Sequence, residues 1–216
     1  MSLEQSQQAY CPDQTKAYFD FDGTLTTKDS LMPFLRYCAG DVVYYIKLVI
    51  LSPILMGYLL KLIPNYIAKE LVIGFFLKGW SRQSIQKKAQ KFVRHKIPLF
   101  LLDAGMAKLQ EHQKNGDFCV LVSASPEVYL QLWADTQGFD KVIATKFEFR
   151  DDIFTGKLLG RNCFGKEKVS RIESELGEFC WQDSFAYSDS VVDMPMISKS
   201  QHGFLLQENK NFSLVD

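Results

Sequence analysis

The sequence predicts a three-layer α/β fold in which helices cover a mostly parallel, Rossmann-like sheet, with an all-helical segment inserted into it. Short apolar runs typical of buried strands alternate with segments of helical periodicity, which indicates parallel strands joined by helical crossovers. The first predicted strand ends at Asp22 and the second starts near Asp117, whereas a βαβ crossover needs only about 30 residues. The residues in excess of this crossover length predict an inserted segment between the two strands.

The predicted elements follow from apolar runs and from the residues that end them. Strands are predicted at residues 16–21, 118–122, 142–144, 184–187 and 203–206, and a hairpin at 147–149 and 158–159. Helices are predicted at residues 127–136, after Pro126, and at 167–176, before Gly177. Proline suits the first turn of a helix and glycine its end.

The inserted segment is predicted to be all-helical. We expect a catalytic core made of residues 1–29 and 97–216, with residues 30–96 forming a helical cap. Because the insertion follows directly after the first polar loop, we expect the cap to lie above the site that this loop forms.

The insertion is unusually apolar between Val42 and Ile63, and again between Leu71 and Leu77. Its uncharged run, between Lys47 and Lys61, is 13 residues long, which is shorter than the ~20 residues of a membrane-spanning helix. A basic segment follows at residues 82–96. Two interpretations remain open: a helical hairpin that packs its apolar faces together, or a peripheral contact with an anionic membrane surface.

Composition indicates the domain size and disfavours a nucleic-acid-binding protein. The 216 residues are 47% hydrophobic, which suits one domain or a domain with a small insertion, and 25 basic residues balance 25 acidic ones. We therefore expect no nucleic-acid partner, since no overall positive field would attract one.

The cysteines and histidines show no pattern of a disulfide framework or zinc site. The five cysteines are odd in number and form no Cys-x-x-Cys pair, and the three histidines are scattered. Residues 1–14 are polar, so no secretory signal is expected. These features predict a cytoplasmic protein with reduced thiols, and the insertion leaves membrane association open.

Two carboxylates follow the first predicted strand in the run Asp20-Phe21-Asp22-Gly23-Thr24-Leu25-Thr26. The first carboxylate of such a pair can attack phosphorus, and the second can protonate the leaving oxygen and later activate water. Gly23 allows a tight turn, after which backbone amides such as that of Thr24 can donate to a phosphate. A solvated acidic turn is the alternative interpretation of two acids alone.

This run resembles the first motif of the haloacid dehalogenase superfamily, most of whose members are magnesium-dependent phosphatases. Later parts of the chain fit the resemblance. Ser123 and Ala124 follow the second predicted strand, where a hydroxyl and backbone amides can hold phosphate oxygens. Lys166 and Lys168 lie at the start of the helix at 167–176, and the resemblance favours Lys168 as the phosphate-binding lysine, with Lys166 as the alternative.

The segment Tyr187-Ser188-Asp189-Ser190-Val191-Val192-Asp193 resembles the superfamily's fourth motif. The resemblance implies that Asp189 binds Mg²⁺ together with the Asp20 carboxylate and the Asp22 carbonyl. Asp193 would be a further ligand or an acceptor just outside the ligand set.

All four motifs occur in order, so the resemblance covers essentially the whole chain. The cap position is that of the subfamily that includes phosphoserine phosphatases, and the pattern is also similar to phosphatidylglycerophosphatase C-like proteins. Asp29 lies where phosphoserine phosphatases carry a glutamate for the substrate amine, but their following cap pattern with its arginine is missing. The substrate therefore stays open.

The resemblance implies a Mg²⁺-dependent phosphomonoester hydrolase that acts through an aspartyl-phosphate on a small phosphorylated substrate. The alternatives are a phospholipid head-group phosphatase at the membrane face, a phosphoserine phosphatase-like enzyme, and a non-catalytic, membrane-associated binding module. The intact set of charged groups disfavours the binding module.

Overall fold

A computed structural model describes residues 14–208 and 210–215. Its sheet consists of β1 (Lys16–Phe19), β2 (Phe118–Pro126), β3 (Lys141–Arg150), β4 (Ile153–Leu159), β5 (Ser184–Ser188), β6 (His202–Leu206) and β7 (Phe212–Leu214). The strand order is β4-β3-β2-β1-β5-β6-β7, with five parallel inner strands and an antiparallel strand at each edge. The expectations for residues 1–13 lie outside the described residues.

Helices cover both faces of the sheet. They are α1 (Leu31–Ala39), α2 (Asp41–Leu59), α3 (Asn65–Leu77), α4 (Arg82–His95), α5 (Asp103–Asn115), α6 (Glu127–Gln137), α7 (Lys166–Leu176) and α8 (Met194–Lys199). Along β1, Ala17 and Phe19 join one buried cluster and Tyr18 joins the other, as the alternation of side chains in a strand requires. The predicted three-layer α/β fold is thus confirmed.

Some elements differ from the predictions. Residues 141–150 form one strand, whereas separate strands were predicted at 142–144 and 147–149, because the first half of β3 pairs with β2 and its second half with β4. The edge strand β7 and the helices α5 and α8 were not predicted. Polar residues dominate α5, so its periodicity is weak in the sequence.

The insertion forms the four helices α1 to α4. Phe34 of α1, Phe92 of α4 and Tyr129 of α6 pack against one another, with ring centroids 4.8–5.5 Å apart. On α3, Glu70 Oε2 accepts a hydrogen bond from the Leu158 N–H of β4 at 2.9 Å. The insertion is therefore attached to the sheet domain through both α6 and the β3–β4 hairpin.

Helix α2 is exposed rather than buried. By length and composition it is the one described helix that could cross a membrane, and only Tyr44 and Leu51 along it are buried. Val42 is 74% exposed and Val49 is 73% exposed. The hairpin with mutually packed apolar faces therefore accounts for the inner side of α2 and leaves its outer side in contact with solvent.

Candidate active site

A cavity of about 420 Å³ opens at the carboxyl ends of β1, β2 and β5. Ligands of open α/β sheets bind at this edge, and the volume is within the range of small-molecule sites. All the predicted site residues line this cavity except Thr24 and Lys166. The sheet topology therefore brings together residues that are more than 160 positions apart in the sequence.

Asp20 lies directly after β1, at the floor of the cavity. Its backbone N–H donates to the Tyr187 carbonyl of β5 at 3.0 Å, and its Oδ1 accepts from Lys168 Nζ at 2.6 Å. Burial raises the pKa of Asp20 to about 7, although the charge of Lys168 acts in the opposite direction. Further positive charge in the cavity would therefore favour the ionised carboxylate.

Lys168 lies in the first turn of α7 and is held between two carboxylates. Its Nζ donates to Asp193 Oδ2 at 2.7 Å as well as to Asp20, and the lysine is 2% exposed. Burial disfavours the ammonium, but the two carboxylates outweigh this effect and raise the pKa of Lys168. Asp193 also accepts from the Ser188 hydroxyl at 2.8 Å, so Asp193 fixes the lysine beside Asp20.

Asp189 and Asp20 meet at the hydroxyl of Thr24. Thr24 Oγ1 is 3.3 Å from Asp189 Oδ1 and 3.5 Å from Asp20 Oδ2, and it accepts from the Asp189 N–H at 2.9 Å. Gly23 makes room for this approach, because a Cβ there would lie 2.0 Å from Asp189 Oδ2. Both carboxylates line the cavity and thus lie close to one hydroxyl beside it.

This region fits a hard divalent cation such as Mg²⁺. Carboxylate oxygens are its preferred ligands, and Mg²⁺ is commonly bound by one or two carboxylates while it keeps several waters. In the described part of the chain, no three acidic, histidine or cysteine side chains form a ready-made metal cluster. A magnesium site here would therefore use the Asp20 and Asp189 carboxylates with carbonyl and water oxygens, and Asp193 is already engaged by Lys168 and Ser188.

Asp22 has a separate set of partners from those of Asp20. Its Oδ1 accepts from the Ser30 N–H at 2.8 Å, and its Oδ2 accepts from the Ser125 hydroxyl. Burial and the negative charge of Asp29 raise the pKa of Asp22 to about 6, while the two serine hydrogen bonds act in the opposite direction. A carboxyl with this pKa can give and take a proton near neutral pH.

Ser123 and Ala124 form the wall that β2 contributes. Ser123 is 1% exposed, and its Oγ accepts from the Ser125 N–H at 3.1 Å. The Ala124 carbonyl accepts from Lys69 Nζ of α3 at 2.7 Å. The Ser123 hydroxyl proton is therefore available to an acceptor in the cavity.

The two remaining candidates lie at different places. Asp29 is exposed at the rim, where its Oδ1 accepts from the Met32 N–H in the first turn of α1 at 3.2 Å. Lys166 is exposed and lines a neighbouring cavity beside Arg161. The geometry therefore places Lys168, and not Lys166, next to Asp20.

Lys69 and Asn65 of α3 line the cavity and were not among the predicted residues. They are four positions apart and so lie on one face of the helix. The signal in the sequence was weak: a lysine between Ala68 and Glu70 at the start of an apolar helix. Only the packing of α3 over the strand ends gives it a place in the site.

The chain matches the family model of haloacid dehalogenase-like hydrolases over residues 17–198. It belongs to this family. It is 33% identical to protein CicA of Caulobacter vibrioides over 181 residues, which cover 83% of this chain and 80% of CicA. The family-model match, residues 17–198, includes all of the motifs described above.

Solved structures that share the fold include the following two. A protein of unknown function from Bordetella pertussis Tohama I superposes with a TM-score of 0.74 at 26% identity, covering 86% of each chain. A phosphoserine phosphatase with an analogue of its phospho-aspartyl intermediate superposes with a TM-score of 0.57 at 18% identity, covering 87% of this chain and 83% of that one. The second likeness concerns the fold alone.

Proposed function

We propose that this haloacid dehalogenase-like hydrolase is a Mg²⁺-dependent phosphomonoester phosphatase that acts through an aspartyl-phosphate on Asp20. The observation that carries the proposal is the contact of Asp20 with Lys168 at the floor of the cavity, 2.6 Å between Oδ1 and Nζ. A carboxylate beside a fixed ammonium at a strand end suits phosphoryl transfer, which depends mainly on positioning and on neutralisation of charge.

In the first step, a carboxylate oxygen of Asp20 forms a bond to phosphorus while the bond from phosphorus to the alcohol oxygen breaks. Asp22 gives its proton to that oxygen, so the alcohol leaves neutral. The Ser123 hydroxyl and the amides after Gly23 donate to the phosphoryl oxygens, and Lys168 offsets their charge.

In the second step, water attacks the phosphorus of the aspartyl-phosphate. Asp22, now ionised, takes a proton from the water, and the bond between phosphorus and the Asp20 oxygen breaks to release inorganic phosphate. When bound, Mg²⁺ would neutralise phosphoryl charge so that an anionic carboxylate can approach an anionic ester. Asp20, Asp189 and the Asp22 carbonyl would hold it.

The test compares Asp20→Asn with the parent enzyme on p-nitrophenyl phosphate in Mg²⁺. We expect hydrolysis by the parent and its loss in Asp20→Asn, because an amide is a poor nucleophile. Asp151→Asn, an exposed acid in the β3–β4 turn, is the matched control and should keep full activity. Acid-quenched mass spectrometry should detect a phosphate adduct in the parent alone. Unchanged turnover in Asp20→Asn would contradict the assignment and revive the binding-module alternative.

The exposed apolar surface of α2 favours a second candidate, a phosphatase of phospholipid head groups at an anionic membrane face. Lys61 lies just beyond the end of α2, and basic residues at the edge of an apolar helix surface attract anionic lipids. The exposed Tyr66 of α3 lines a cavity next to Asn65, and Asn65 also lines the candidate active site. Tyr66 thus places one exposed aromatic side chain of the insertion beside the mouth of the site.

Vesicle flotation tests this second candidate. We expect the protein to float with vesicles of phosphatidylglycerol and phosphatidylcholine, and the double variant Val42→Glu, Val49→Glu to stay in solution. Leu159→Glu, on an exposed residue of β4, is the control and should float. Hydrolysis of phosphatidylglycerophosphate in mixed micelles should exceed that of glycerol 3-phosphate. A wide preference for soluble esters, phosphoserine included, would count against the lipid.

A further inference from the structure

Lys69 places a second ammonium in the candidate active site, on the side formed by the insertion. It is partly buried, and the hydrogen bond that it makes runs to the Ala124 carbonyl, 2.7 Å from Nζ. No described carboxylate lies within ion-pair distance of it, in contrast to Lys168 with its two carboxylates. An ammonium has three donors, so Lys69 retains donors for a further acceptor.

The residues around Lys69 indicate which part of a bound phosphate ester its ammonium would contact. The Ala124 carbonyl that accepts from Lys69 directly precedes Ser125, whose hydroxyl donates to Asp22 Oδ2. Lys69 therefore lies on the side of the cavity that holds the proposed proton donor, Asp22, and the charges of Asp22 and Asp29 oppose the lowering of its pKa by burial. The group that Asp22 protonates is the leaving alcohol, so Lys69 faces the alcohol part of the ester and not the phosphoryl group.

We propose that Lys69 binds an anion carried by the leaving alcohol, so that the preferred substrates are phosphomonoesters whose alcohol bears a second anionic group. A carboxylate or a phosphodiester would give Lys69 the charge-assisted partner that the Ala124 carbonyl does not provide. The cavity of about 420 Å³ has room for a short alcohol of this kind beside the phosphate. This inference rests on the proposed phosphatase function and names its substrate class.

A purely structural role for Lys69 predicts a different outcome. If the lysine only fixed the Ala124 carbonyl and thereby Ser123, its loss would impair every phosphate ester equally. If it binds an anion of the substrate, its loss would impair only those esters that carry one. Two esters with the same three-carbon skeleton therefore separate the roles: glycerate 3-phosphate, which has a carboxylate, and glycerol 3-phosphate, which has a neutral hydroxyl.

The experiment measures kcat and KM of the parent, Lys69→Met and Lys69→Arg on both esters. We expect the parent to favour glycerate 3-phosphate by at least ~10-fold in kcat/KM, since a charge-assisted hydrogen bond contributes at least this factor. Lys69→Met should abolish the preference, mainly through a rise in KM for glycerate 3-phosphate, so that its loss of kcat/KM on this ester exceeds its loss on glycerol 3-phosphate by ~10-fold. Lys69→Arg should keep part of the preference. Lys87→Met, an exposed lysine of α4, is the matched control.

A third substrate distinguishes the source of the anion. Phosphatidylglycerophosphate in mixed micelles carries a phosphodiester on its alcohol, so dependence on Lys69 with this substrate and not with glycerate 3-phosphate would assign a lipid. Dependence in either arm supports the proposal. Equal losses on all esters, or no dependence on any, would overturn it while the phosphatase function stands. That function fails separately, if Asp20→Asn leaves hydrolysis unchanged.

Discussion

Lys168 Nζ lies 2.6 Å from Asp20 Oδ1 and 2.7 Å from Asp193 Oδ2, so one buried ammonium joins the first and last motifs of the chain. In the proposed mechanism, replacing Lys168 by methionine removes the charge that stabilises the transferring phosphoryl group. We expect Lys168→Met to lower kcat on p-nitrophenyl phosphate by about 10²–10³-fold, the range found for the loss of one such electrostatic contact.

Lys166→Met is the matched comparison for this variant. Lys166 is exposed and faces another cavity, so we expect its loss to change kcat less than about 2-fold. Lys168→Met leaves two buried carboxylates without their partner, which costs about 3–5 kcal/mol of stability. Circular dichroism must therefore show that it is folded. Equal effects of the two substitutions would contradict the assignment of Lys168.

Magnesium should stabilise the folded protein through the pair formed by Asp20 and Asp189. A ligand that binds only the folded state at a hundredfold excess over its dissociation constant contributes ~2.7 kcal/mol, which is roughly 5–10 °C in Tm for a chain of this size. We expect this shift in thermal scans with Mg²⁺, its reversal by EDTA, and its loss in Asp189→Asn. A full shift in that variant would place the metal elsewhere.

The pH dependence should report Asp22. As the proposed general acid it must be protonated for the first step, so kcat/KM should fall as the pH rises past its pKa of about 6. The Ser125 hydroxyl stabilises the ionised carboxylate, so Ser125→Ala should raise this pKa and move the alkaline limb to higher pH. Asp29 adds negative charge, so Asp29→Asn should lower the pKa and move the limb to lower pH.

Because Ser125→Ala and Asp29→Asn should shift the alkaline limb in opposite directions, the two variants together test whether Asp22 controls it. Both should be profiled on p-nitrophenyl phosphate at saturating Mg²⁺, with Asp151→Asn as the variant that leaves the limb in place. Shifts in the same direction, or none, would mean that another group controls the alkaline limb.

Gly23→Ala should damage the site far more than the fold. Gly23 has a φ of +83°, and a Cβ would meet Asp189 Oδ2 at 2.0 Å. Gly116→Ala carries the same kind of backbone strain, with a φ of +78°, but its Cβ would enter open space. Both variants should lose about 1 kcal/mol of stability, measured by urea unfolding. Only Gly23→Ala should lose Mg²⁺-dependent activity; full activity in it would contradict the proposed role of Asp189.

The sequence could predict which motifs belong to the strand ends because parallel strands bring their carboxyl ends to one edge. It could not separate Lys166 from Lys168. Both lie in the first turn of α7, and two positions turn a side chain by roughly 200° around the axis. Which of the two lysines is buried depends on how α7 packs against the sheet, and the local sequence pattern does not determine this packing.

The sequence could not predict the exposure of helix α2 or the position of Lys69, for a related reason. Apolar residues are usually buried, so the apolar run from Val42 predicts that another apolar surface covers it. The sequence does not show whether that surface belongs to the same chain. Lys69 enters the site only because α3 lies over the end of β2, a contact between segments 55 positions apart in the chain.

The hydrogen bond from the Ser30 N–H to Asp22 joins the proposed acid to the residue just before α1. If α1 moves outward, the ionised carboxylate loses a donor, and its affinity for a proton rises. By thermodynamic linkage, protonation of Asp22 then favours the outward position of α1. In the proposed phosphatase, an outward movement of α1 that admits an ester would in this way be coupled to protonation of Asp22.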